Sequence, residues 1–212
     1  MVDFMSKAKE TALGLEELEV SNPLFEQMKL TDYTKHNTIY FDTEFDRDSC
    51  LLFCRQLKKL CQQELRKEEK DRKHVKVIIT SYGGSVYDYF SCASLMEYYK
   101  EKGIIIETYC YGYCMSAGAK LLILGSKGHR YATRYASILL HQIQTTNFGK
   151  QTLQERIQDS QQLQKDWKLL KSIIKNNTKL TEEEIEDFSR LNLDVFYTSE
   201  EALEKGIIDN II

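Results

Sequence analysis

The apolar positions of this 212-residue chain change period several times, and each change marks an element. Thr38-Ile39-Tyr40-Phe41 is a short β-type run. From Asp46 to Arg66, apolar residues recur at 50, 53, 54, 57, 60, 61 and 65, the spacing that gathers one stripe on a helix. The run from Arg66 to Lys73 mixes both charge signs and predicts a solvated helix end and loop. Val75 to Ile79 is a strand rich in β-branched residues, closed by Ser81-Tyr82-Gly83-Gly84-Ser85, and helical spacing returns from Val86 to Tyr99. Ile104 to Tyr111 predicts a third strand, leading into a helix that begins near Ser116. Two short strands follow, His129 to Ala132 and Ser137 to Leu140. A long helix is expected from about Gln151 to Asn176, a shorter one behind the capping box of Thr181 and Glu184, and a last one from Ser199 that ends at Gly206. Strand, helix, strand, helix in succession predicts an α/β fold with parallel pairing and right-handed crossovers. Residues 1–35 are mixed and polar, with a weakly amphipathic helical stretch from Ala8 to Glu19, and read as an arm before a domain at 36–212.

A hydrophobic content of 42% suffices for a full core. The formal charge of −3, with no basic stripe, gives no electrostatic reason for a nucleic-acid partner. No stretch approaches the roughly twenty apolar residues of a membrane span, and the N-terminus lacks an apolar leader, so a soluble, non-secreted protein without a membrane partner is expected. The six cysteines include no C-x-x-C pair, and no histidine stands at ligand spacing from them. They read as buried free thiols in a reducing compartment, with no metal and no cofactor implied.

Ligands collect at the carboxyl ends of parallel strands. Three candidates gather there: Gly83-Gly84 after one strand, Ser116 after the next, and His141 at the end of a later one. A helix N-terminus favours an oxyanion beside Ser116, although serine is also a common N-cap. The glycine turn can present an unobstructed N–H, and the N–H of Ala117 follows the serine. Taken singly, the glycines fit a plain turn, His141 fits a hydrogen-bonded core residue, and Asp194 fits an Asx turn.

The order of these pieces resembles the Clp protease proteolytic subunit, ClpP, over about residues 38–210. Thr80-Ser81-Tyr82-Gly83-Gly84-Ser85-Val86 is similar to that family's glycine turn, with Tyr82 in place of its proline. Gly112 to Ala119 is similar to the nucleophile segment, Gly125 to Ala132 to the segment after it, and His141-Gln142 to the catalytic histidine motif. Asp194-Val195-Phe196, Glu201-Ala202 and Gly206-Ile207-Ile208-Asp209 are similar to the C-terminal signature. The resemblance implies a ClpP/crotonase-like spiral of ββα units with a protruding handle at about 142–176. It implies Ser116 as nucleophile, His141 as base and Asp194 as its orienter, with the N–H groups of Gly84 and Ala117 as oxyanion hole. Gly83, Ser85, Val86, Gln142, Ile143 and Gln144 are the implied substrate-binding residues. The implied assembly is a homo-oligomer, a heptameric ring or a double ring, fed unfolded proteins by an AAA+ unfoldase. This chain carries no phosphate-binding loop of its own.

Several departures accompany the likeness. The arm does not resemble the family's gating segment, Asn192-Leu193 replace a charged pair that joins rings, Ile143 replaces a proline, and the charge run at 66–73 is longer. Lys120 stands where the family has an apolar residue, four positions after Ser116; it reads as a surface or ring-interface charge, with a Ser-Lys dyad as the chemical alternative. A catalytically silent ring subunit and a crotonase-like acyl-CoA enzyme are the other functional readings. A divergent viral, parasite or organellar source, and hence cytosolic, organellar or viral-host placement, fits the altered arm.

Overall fold

The computed structural model describes residues 36–144 and 152–212. The chain divides into two units, Met1–Thr38 and Ile39–Ile212, and the architecture that follows is that of the second. The helix expected at 8–19 and the handle residues 145–151 lie outside the described residues.

Strand β1 (Thr38–Phe41) is followed by helix α1 (Arg47–Leu65). Asp46 caps α1 by accepting from the Ser49 N–H at 2.8 Å, while Ser49 Oγ accepts from the Asp46 N–H in return. The buried stripe of Cys50, Phe53, Leu57, Leu60 and Cys61 matches the predicted spacing. The 66–73 run is a turn with a single 3₁₀ turn at Glu69–Asp71, almost wholly exposed. Strand β2 (Val75–Ser81) then leads into helix α2 (Val86–Glu101).

Strand β3 runs from Ile106 to Met115, well past the expected end at Tyr111. It extends because it changes neighbours. Its first half pairs in parallel with β2 on one side and with β4 (Arg130–Ala132) on the other. Its second half pairs with β5 (Ser137–Leu140), after a register shift between Ile79 and Ser81 on β2. The hydrogen bonds that sustain residues 112–115 thus come from a strand more than twenty residues away, beyond the reach of local pattern.

Helix α3 (Ala117–Ile123) starts directly after β3, and all seven of its residues are buried. Helix α4 (Leu153–Asn177) is mainly exposed over its first half, as a protruding handle implies. Helix α5 (Glu182–Arg190), strand β6 (Val195–Tyr197), helix α6 (Ser199–Glu204) and strand β7 (Asn210–Ile211) complete the described part. The Thr181–Glu184 capping box is present, and Gly206 has the positive φ of 64° of a helix C-terminus. Two strands escaped the sequence reading: β6, antiparallel to β5, and β7, parallel to β4. Each is two or three residues long and exists only through its partner.

Behind β4, Arg130 and Asp209 form a bidentate pair at 2.7 and 2.6 Å, with Arg130 only 3% exposed. Burial pushes the Asp209 carboxyl up, but the Arg130 hydrogen bonds, its charge and the Gly128 and Arg130 amides outweigh that and hold it below 3.8. A depressed carboxylate stabilises the fold above its unfolded pKa and loses that contribution as pH falls through the folded value. Asp209→Ala is expected to cost about 2 kcal/mol or more, discounted for the partial exposure of Asp209, because it strands a buried guanidinium. Thermal unfolding at pH 7 checks this: an unchanged Tm would remove the pair from the fold's supports, and the wild-type advantage should shrink below pH 4.

Candidate active site

Ser116 ends β3 and precedes α3 with φ 53° and ψ −115°, a conformation that side-chain-bearing residues avoid. Such a backbone costs on the order of 1–3 kcal/mol. It is held by the Ser116 N–H donating to the Leu139 carbonyl at 2.9 Å, and by the Lys120 N–H donating to the Ser116 carbonyl at 3.1 Å. The Ser116 hydroxyl does not cap the helix. The bland reading of this serine as an N-cap is therefore not what the geometry shows.

The glycine turn is built against the serine. Gly83 has φ 110°, and a Cβ there would stand 2.7 Å from the Ser116 Cβ; at Gly84, φ 139°, it would stand 2.5 Å from the Phe45 carbonyl oxygen. Phe45 grips the turn by donating its N–H to the Gly83 carbonyl and accepting from the Ser85 N–H, both at 2.7 Å. The N–H of Gly84 lies between those two bonds, and neither it nor the N–H of Ala117 donates to another backbone group among the described residues. Ser85 caps α2, its hydroxyl accepting from the Asp88 N–H.

A cavity of about 620 Å³ opens beside Ser116, a size that suits a small ligand or a side chain with its backbone. Of the residues proposed from sequence, Ser116, Ala117, Gly84, Ser85, Val86, His141, Gln142, Ile143 and Gln144 line it. Gly83 stands behind the lining, and Asp194 lies outside it.

His141 and Asp194 are related by strand register. In the antiparallel β5–β6 ladder, Leu139 faces Phe196 and Leu140 faces Val195, where the ladder ends; His141 and Asp194 are the residues just beyond that end on the two strands. The side chains have not closed on each other: His141 Nδ1 is buried without a hydrogen-bond partner, and Asp194 is exposed. Next to it, Gln142 Nε2 donates to Asn192 Oδ1 at 2.7 Å. Burial lowers the His141 pKa below 6.5 and the positive charge of Lys120 lowers it further, against weaker opposing effects from Asp194 and the Gln142 backbone.

Lys120 corrects the sequence reading. Instead of a surface charge, it is 3% exposed and lines the cavity together with Ser116 and His141. Its place four residues after Ser116 was visible; its burial was not, because α3 is enclosed on every side by β2, β3, β5, α2 and α4. Tyr82, Tyr89, Leu163 and Leu170 also line the cavity and carried no sequence signal beyond apolar spacing.

The cysteines are free, and all but Cys54 are buried. At the opposite, amino end of the strands, His74, Glu107 and His129 come within 4.8 Å of one another, a grouping not seen from sequence. Glu107 accepts from Tyr109 Oη at 2.6 Å and pairs with His74 Nδ1 at 2.7 Å. Among the described residues no helix is long and apolar enough to cross a membrane. The family model for Clp protease matches residues 26–212, beginning inside the segment read as an arm.

Proposed function

This chain belongs to the Clp protease family, a family of ClpP-type peptidases, and on that premise we propose that it is a serine endopeptidase acting through Ser116, His141 and Asp194. The observation that carries the reading is that Ser116 and His141 line one cavity: β3 delivers Ser116 beside β5, His141 follows the end of β5, and Asp194 lies just beyond the matching end of the β5–β6 ladder. In this mechanism neutral His141 takes the Ser116 proton as Oγ attacks a peptide carbonyl. The N–H groups of Gly84 and Ala117 receive the oxyanion, and His141 returns the proton to the leaving amine. Asp194 turns onto Nδ1 and fixes the tautomer. Gly83, Ser85, Val86 and the segment Gln142–Gln144 hold the substrate as an added strand. The working form is a homo-oligomeric ring, heptameric and single or double, that admits unfolded chains or short peptides; an AAA+ unfoldase supplies any dependence on ATP. Free thiols suit a reducing compartment of a cell, an organelle or a virus-infected host.

A fluorophosphonate probe tests the reading. Labelling of the wild type on Ser116, carried by a species of ring mass, is expected; a folded ring that never labels would sink it. The open Nδ1 of His141 favours a second reading, a latent subunit whose triad closes only on assembly. Labelling confined to the ring fraction and absent from dissociated subunits would select it.

The pH profile has a defined sign. His141 must be neutral to act as base, and burial keeps it neutral to lower pH than an ordinary histidine. The acid limb of kcat/KM is therefore expected below pH 6.5 while Nδ1 stays unpaired, and a limb above that value would show that the Asp194 carboxylate, closed on Nδ1, outweighs burial and the Lys120 charge.

A further inference from the structure

Resting on the protease reading, we propose that Lys120 makes this active site selective for a substrate acidic at the residue whose carbonyl is attacked, so that cleavage follows Glu or Asp. Lys120 is the fourth residue of α3, one helical turn beyond Ser116. Side chains on a helix lean toward its N-terminus, here the serine end of the cavity, and the Lys120 charge is close enough to act on His141. It lines the cavity that Ser116 and His141 also line, and 3% exposure leaves it little water.

A buried cation is costly unless paired. Burial alone drives the Lys120 pKa down to about 8, and no carboxylate contributes to it. Among the described residues Asp159 is the one acidic group that lines the cavity; it is exposed on the α4 wall and engaged in an interaction of its own. The counter-ion that the described residues do not supply is therefore one a substrate can bring. When a peptide carbonyl sits on Ser116, the side chain on its acyl side has this cavity to enter. A carboxylate there forms a charge-assisted hydrogen bond with the ammonium, while Val86, Leu163 and Leu170 cover its methylene stem. A lysine or arginine in the same place meets like charge, and an apolar side chain leaves the ammonium unpaired.

The test uses matched internally quenched peptides that differ only at that position, as Glu, Asp, Gln, Leu or Lys, cut by the assembled full-length protein. For the wild type, kcat/KM for Glu is expected to exceed that for Gln by at least about tenfold, the scale of one hydrogen bond to a charged group, with Lys slowest. Lys120→Met is expected to invert the order in favour of Leu. Equal cleavage of the Glu and Leu peptides by the wild type overturns the proposal without any variant. A uniform loss on every peptide in folded Lys120→Met also overturns it and makes Lys120 a proton-transfer group or a support. Fluorophosphonate labelling of Ser116 separates the two levels: labelling without side-chain preference defeats only the specificity, whereas no labelling and no cleavage defeat the protease reading beneath it.

Discussion

Ser116→Ala is expected to lower kcat on any peptide by about 10⁴- to 10⁶-fold and to abolish fluorophosphonate labelling, while thermal stability stays near wild type. The loss is large because the serine supplies the nucleophilic oxygen, and nothing else lining the cavity on α3 offers a hydroxyl: the helix continues Ala117, Gly118, Ala119. Stability is the informative contrast. Alanine keeps a Cβ at φ 53° and so keeps the strain, whereas Ser116→Gly adopts that backbone freely. Ser116→Gly should therefore be equally inactive but more stable, by up to about 1 kcal/mol after the entropy cost of glycine. A raised Tm in the glycine variant, with none in the alanine variant, would show strain held at the reacting residue for the sake of aiming Oγ. If Ser116→Ala retained wild-type turnover, the triad assignment would be wrong.

Gly84→Ala is expected to be the second most damaging change, striking catalysis and stability together. The added methyl has no way to yield: it would lie 2.5 Å from the Phe45 carbonyl oxygen and 2.7 Å from the Phe45 nitrogen, both backbone atoms pinned by their own hydrogen bonds. The φ of 139° adds a conformational penalty for any L side chain. The turn must move, and with it the N–H assigned to the oxyanion. Loss of one such donor costs about 10² to 10³ in kcat, so a fall of at least a hundredfold is expected, with KM less affected because the donor acts chiefly on the charged intermediate. Steady-state kinetics alongside thermal unfolding check this. A rise in KM at constant kcat would instead make Gly84 a substrate-binding residue alone.

Much of the site was legible in the chain, for reasons that are local. Glycine pairs after a strand report a backbone that no other residue adopts, and the β2–turn–α2 and β3–Ser116–α3 junctions are each contained within about ten residues. The helix at Arg47–Leu65 was legible from the apolar spacing between Asp46 and Arg66 because its stripe repeats over five turns. Lys120 shows the limit. Its spacing from Ser116 is a property of one helix, but its removal from water depends on the strands and helices packed around α3, and sequence pattern treats lysine as exposed by default.

By itself, then, the sequence determined where the elements lie, which turns require glycine, and that a serine, a histidine and an aspartate stand at element ends in an order shared with the Clp proteases. Those properties are written in short-range periodicity and backbone sterics. The tertiary structure alone decided that β3 continues past Tyr111 by exchanging β4 for β5, that β6 exists as a partner strand and brings Asp194 to the end of the ladder that His141 follows, and that a buried lysine lines the same cavity as Ser116. Register and burial are relations between segments distant in the chain. They are set by hydrogen bonds and packing that form only when the sheet closes, and no local pattern encodes them.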